Sequence, residues 1–228
     1  MSEQPGAAGG RPQVRVTTSS GSITITAEAR DDIAVESKGR VERRPSTSQD
    51  PIDVRRSDSV KLRCPTGSDV MAGTSSGSVR LLGVFGDVRV TSQSGSIDVG
   101  EVTSADLRTR SGNVDVVGCD GLCRVELKSG SVRVRRAGDA DIGGGSGTAR
   151  VSGLTARVRT VSGTIDLAVG SNASVETVSG SITVSLPAHV RPRVDVGATK
   201  RAHIDVVQGE DCDLSVRSLS GSVTVRAR

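Results

Sequence analysis

Residues 162–186 read SGTIDLAVGSNASVETVSGSITVSL. Two Ser-Gly pairs stand 17 residues apart in this stretch, at Gly163 and Gly180. Each is followed by one polar residue and then by alternation, Ile165-Asp166-Leu167 and Ile182-Thr183-Val184. The second is preceded by the same alternation, Ala173-Ser174-Val175-Glu176. Successive strand side chains point to opposite faces, so a period of two marks a strand with one buried face. Glycine reaches backbone angles that strain other residues, which suits it to a corner between two such strands.

The unit repeats in both directions. Ser-Gly followed by Ser, Asn or Thr occurs nine times, at Gly21, Gly77, Gly95, Gly112, Gly130, Gly147, Gly163, Gly180 and Gly221. From Gly77 to Gly180 the gaps are 18, 17, 18, 17, 16 and 17 residues, and the two outer gaps are 56 and 41. Two residues after the glycine stand Ile23, Val79, Ile97, Val114, Val132, Ala149, Ile165, Ile182 and Val223. The positions four after, five before and seven before are likewise aliphatic or small, with Cys123 among the alanines of the last column. This pattern predicts an all-β fold, a single parallel β-solenoid of two-strand coils about 17 residues long. Length differences fall at the corner opposite the glycine, as in Gly83–Asp87 and Gly118–Leu122.

Outward positions give a second test. In-register parallel stacking puts equivalent residues of adjacent coils ~4.8 Å apart, where unlike charges pair and like charges repel. Six residues before successive glycines stand Arg89, Asp106, Arg124, Asp141 and Arg157, alternating in sign. Arg108 falls beside Glu126 and Arg159 beside Glu176. Such ladders fix register more than they add stability, because an exposed pair contributes only ~0–1 kcal/mol.

The organisation expected is a disordered tail at 1–12 and a solenoid over 13–228, with tandem coils at about 70–186. An N-terminal cap excursion is expected at 27–69 and a C-terminal one at 187–213. Within the first, 39–51 reads as an exposed loop, and Ile33–Val35, Ile52–Val54 and Val60–Leu62 read as strands. The second holds the strand-like runs Val194–Val196 and Ile204–Val206. Irregular ends suit a coil that must hide its terminal strand edges.

Composition narrows the function classes. The chain has no Trp, no Tyr and one Phe, Phe85, so neither base-stacking nor sugar-stacking platforms are expected. The net charge is +4, and basic and acidic residues alternate instead of clustering, which argues against a nucleic-acid partner. The first residues, MSEQPGAAGGRP, lack the pattern of a secretory signal, and no stretch approaches the ~20 apolar residues of a membrane span. A cytoplasmic location is therefore expected, with four reduced cysteines, Cys64, Cys119, Cys123 and Cys212.

Each candidate site has a structural reading beside it. Cys119 and Cys123 form C-x-x-x-C, a metal or redox spacing, yet Cys123 falls in the inward column as a core filler. His189 and His203 are the only histidines, and His203 alternates with Ile204 and Val206, so it points outward. Gly143–Gly147 resembles a phosphate loop but lacks the Lys-Ser/Thr ending and a helix. A glycosidase-type pair of carboxylates would need a cleft, whereas these acids fall opposite arginines. The expectation is no catalytic, cofactor-binding or metal residue, and no cofactor.

The stretches SGSVRLLGVFGDVRVTSQSGSIDVG (76–100) and SGTIDLAVGSNASVETVSGSITVSLP (162–187) resemble a bacterial family of β-strand-repeat domains of unknown function that carries an adhesin label. The entry VRVTTSSGSITITAEARDDIAVE (14–36) and the closing VRSLSGSVTVRAR (216–228) fit the same pattern. The resemblance implies a β-solenoid and a non-enzymatic role, and it carries no catalytic motif. The leading expectation is a binding or scaffolding module with a protein partner or self-association. The alternatives are an envelope adhesin and a carbohydrate-active β-helix enzyme. End-to-end association through unpaired coil edges is a further idea.

Overall fold

The computed structural model describes residues 11–37, 40–45, 51–197 and 201–228. Among them there is no helix, and all strands join one 14-stranded sheet. The strands are β1 (Gln13–Thr18), β2 (Ile23–Glu28), β3 (Asp32–Ser37), β4 (Arg40–Pro45), β5 (Ile52–Arg56), β6 (Val60–Pro65) and β7 (Asp69–Ser76). They continue with β8 (Val79–Ser94), β9 (Ile97–Ser111), β10 (Val114–Val169), β11 (Ala173–Leu186), β12 (Pro192–Gly197), β13 (Arg201–Asp205) and β14 (Cys212–Ala227). The long strands bend around corners, so β10 carries Gly130, Gly147 and Gly163 within one continuous run.

Each coil has a first strand before its glycine and a second strand after it. Equivalent residues of neighbouring coils are partners: Ala156 with Ala173 and Leu214, and Ile165 with Ile182 and Val223. All four apolar columns are buried through all nine coils, from Val14, Val16, Ile23 and Ile25 to Leu214, Val216, Val223 and Val225. Full burial of one such side chain contributes roughly 1.5–3 kcal/mol, so these columns dominate the folding energy. Phe85 stacks on Val102, which stacks on Cys119, filling the far corner. Ladder register shifts there, between Leu81 and Val84 and between Cys119 and Cys123, where the coils differ in length.

The glycine corner is the tightest contact in the fold. Gly95, Gly112, Gly130, Gly147, Gly163, Gly180 and Gly221 have φ between 130° and 151°. A methyl group on any of them would overlap the carbonyl oxygen of the glycine one coil before. Corner N–H groups are satisfied across coils, as in Gly95 N to Ser111 O at 3.2 Å and Ile97 N to Asn113 O at 2.8 Å. A further inward column supports the corner from inside. Thr18, Thr74, Ser92, Thr109, Thr177 and Ser218, three residues before the glycine, are buried. Thr18 Oγ1 donates to Gly21 O at 2.9 Å and Thr177 Oγ1 to Ser179 O at 3.2 Å.

The coils do not stack in chain order at either end. Gly77 lies against Gly21, and β7 pairs with β1, although 56 residues separate the two glycines. The intervening chain leaves to form an outer coil, with β5 on β1 and β6 on β2. Likewise β14 sits directly on β11, and β12 and β13 lie outside it, both paired with β14. The excursions thus supply further coils, in register with the rest.

Two points correct the sequence reading. The sheet is mixed: β3 pairs antiparallel with β4 and with β6, while the other pairings among the described residues are parallel. A hairpin is what can fold back at once onto the outer edge of β6 and use up its free backbone groups. Consequently, part of the expected loop at 39–51 is strand β4; residues 39 and 46–50 lie outside the described residues. Of the expected tail, 1–10 lie outside them too, and Pro12 O accepts a hydrogen bond from Asp69 N at 2.8 Å.

Gly147→Ala is expected to destabilise the chain by more than ~2 kcal/mol, since it adds both a strained positive φ and a backbone overlap. Gly73→Ala, where a methyl meets only the Thr17 side chain at 3.9 Å, should stay within ~1 kcal/mol of the parent when both variants are unfolded in urea.

Candidate functional site

Outward residues of the first strands line a shallow groove. The columns eight and six residues before the glycine form its walls, and the column seven before forms its floor. The floor is the strand backbone at Val14, Val70, Val88, Ala105, Ala140, Ala156 and Ala173, whose side chains belong to the buried core beneath it. Two basins result, of about 520 and 570 Å³, and they adjoin at Leu122 and Arg124, which line both. The groove therefore runs along the stack, crossing coil after coil.

Its walls are charged and largely matched internally, Arg15 and Arg157 making no ion pair. Arg89 lies 3.4 Å from Asp106, and Arg124 lies 3.3 Å from Asp141. Asp106 also receives Arg108 at 3.1 Å, and Arg108 reaches Glu126 at 3.7 Å. The alternating column therefore resolves into separate pairs. Arg124 is in register with Asp106, yet its guanidinium turns to Asp141. The other wall is a ladder of hydrogen bonds: Asp87 N–H donates to Asp69 Oδ1 at 2.8 Å, and Ser104 Oγ to Asp87 Oδ1 at 2.5 Å. Thr155 donates to Asp139, and Asp213 N–H to Asn172 Oδ1 at 2.8 Å. Arg11 sits 3.7 and 3.8 Å from Asp69 and Asp87. Leu122 interrupts this polar wall and is 44 % exposed at the middle of the groove.

Of the residues singled out from sequence, Cys123 sits in the buried column beneath the groove, between Leu122 and Arg124, and the rest lie elsewhere. Cys119 and Cys123 are both buried and touch each other in the far corner. The contact with Cys123 lowers the Cys119 thiol pKa, and the same contact, with burial, raises that of Cys123. Cys119 Sγ also points at Gly121 O, 3.7 Å away. Burial pushes the Cys64 thiol up to about 11. His189 is exposed on the segment before β12, and His203 is exposed on β13, opposite Thr224. Gly143–Gly147 is a strand and its corner, with Gly147 stacked on Gly130. None of these side chains is among those lining the two basins. No cluster of three or more His, Cys, Asp or Glu is arranged to hold a metal among the described residues. No helix among them is long and apolar enough to cross a membrane.

The groove and the buried hydroxyl column were not identified from sequence, although the column had a signal. Alternation at seven, five and three before the glycine already placed Thr18, Thr74 and Thr109 inward.

The Toastrack family model, DUF4097, matches residues 12–201, and the chain belongs to that family, a domain of unknown function. No curated protein and no solved structure matches it. The matched range ends at β13, whereas the stack also includes β14, which lies between β11 and the β12–β13 coil.

Leu107→Ala, in a fully buried column, is expected to cost ~2–5 kcal/mol. Asp141→Ala, which removes a half-exposed ion pair on the groove wall, should cost under ~1 kcal/mol. Chemical denaturation of the two variants side by side checks which force holds the coils.

Proposed function

We propose that this Toastrack chain is a non-catalytic binding module that holds an extended segment of a partner protein along the groove of its first strands. The observation that carries this reading is the continuity of the groove across successive coils, with exposed Leu122 where its two basins meet. A long shallow channel suits an extended polypeptide better than a small molecule, which is normally enclosed on most sides. An apolar residue ringed by matched polar groups is the arrangement of a binding anchor with a wet rim.

The state of the acids also favours binding over catalysis. A glycosidase pair requires two free carboxyl groups at a set separation, ~5–9.5 Å. Here Asp106 and Asp141 are held by arginines, and Asp69, Asp87 and Asp139 accept hydrogen bonds from the next coil. Alternating Asp and Arg give the walls no dominant sign, so the segment bound is of mixed charge and recognised by register, with modest dependence on salt.

A photo-crosslinking residue at Leu122 should trap a reproducible protein adduct in the native cell, and the same residue at exposed Asp166, on a second strand, should not. Equal adducts at both positions, or turnover of a sugar polymer by the purified chain, would reject the reading.

A further inference from the structure

The arginines that line the groove belong to one outward column, six residues before the glycine: Arg15, Arg89, Arg124 and Arg157. The inner two are matched within the fold, Arg89 by Asp106 and Arg124 by Asp141. The side chains of the outer two are exposed and make no ion pair or hydrogen bond among the described residues. Their neighbours explain why. Arg15 stands in register with Asp53 on one side and Met71 on the other. Asp53 is held by Arg55 at 3.1 Å, and Met71 carries no charge. Arg157 follows Asp141 in the column, which Arg124 holds, and has Ser174 on its other side. Each free guanidinium thus lies between a carboxylate already engaged and a residue without charge.

Ladder register sets the distance between the two. From Arg15 the column passes through Met71, Arg89, Asp106, Arg124 and Asp141 before Arg157, one position per coil. Steps of ~4.8 Å then add up to ~29 Å, which an extended chain rising ~3.3 Å per residue crosses in ~9 residues. Leu122 shares a coil with Arg124, so it lies ~10 Å, or ~3 residues of extended chain, from the level of Arg157.

We propose that the segment held in the groove carries two acidic residues about nine positions apart, one on Arg15 and the other on Arg157, with an apolar residue over Leu122 about three positions from the second acid. The proposal rests on the groove reading above and specifies its ligand. A guanidinium presents paired N–H donors that match a carboxylate, so each end contact selects an acid. The matched walls between them place no such demand. Because Leu122 lies nearer to Arg157 than to Arg15, a given segment fits in one orientation.

The test is fluorescence anisotropy of the purified whole chain with labelled ten-residue peptides. The matched probe has Asp at both ends, Leu at the seventh place and Ser or Thr elsewhere. A second probe has the same composition with its Asp residues about four places apart, and it should bind about fivefold more weakly or worse. Arg15→Glu and Arg157→Glu should each weaken the matched probe about fivefold or more, and Arg15→Gln and Arg157→Gln should weaken it less. Arg133→Glu, exposed on a second strand, should leave it unchanged. A probe with Lys at both ends should prefer the Arg15→Glu, Arg157→Glu double variant to the parent, which only direct pairing produces. Circular dichroism melts verify that each variant is folded. Equal affinity for the two spacings, or a matched probe indifferent to the arginine variants, would overturn the inference and leave the groove reading in place. A matched probe that does not bind, while the Leu122 adduct still forms in the cell, has the same meaning. Absence of the Leu122 adduct removes the groove reading, and this inference with it.

Discussion

Everything in this fold rests on one close approach, the carbonyl of a corner glycine set against the next glycine with no side chain between them. That contact fixes the spacing of the coils and the path of the backbone at the same time. Seven of the corner glycines hold a positive φ that other residues adopt only with strain, and each is pressed against the glycine of the coil before. Serine and threonine flank the corner because its carbonyls and N–H groups need partners that do not take up room. Once the corner is fixed, the register of every column follows, and a one-residue slip would turn every inward Val toward water.

Energy and register come from different residues. The buried aliphatic columns supply most of the stabilisation, since each fully buried side chain outweighs an exposed ion pair several-fold. The arginine–aspartate pairs discriminate among registers, because a slip would bring like charges together. In the structure they act as local pairs. Asp106 takes Arg89 and Arg108, which frees Arg124 for Asp141. The groove lies between the outward side chains on either side of the seventh position, and their charges become its walls.

Much of this was legible in the sequence. The nine glycine-centred units, the four apolar columns and the outward position of His203 follow from a period of two and a period near 17. The order of the coils did not follow, because parallel stacking requires only that the connection be long enough. A 56-residue gap between Gly21 and Gly77 is silent on whether the two coils touch. The hairpin strand β4 was obscured by polar residues such as Glu42 and Arg43, which suit an exposed edge strand as well as a loop. The groove was hidden for another reason. Alternation says which side chains point outward, but not how deep the surface lies between them.

The claim that coils stack glycine on glycine, regardless of chain order, is tested most directly where chain order and stacking order disagree. Ser181 and Ser222 are 41 residues apart, and their hydroxyls lie 3.2 Å from each other because β14 sits on β11. If the coils instead followed chain order, the β12–β13 coil would lie between them and separate them by two coil spacings, ~9–10 Å. Cysteines placed at both positions should form a disulfide rapidly and nearly completely under mild oxidation of the folded chain, without loss of its melting temperature. A folded double variant whose two new thiols remain free under those conditions would contradict the account.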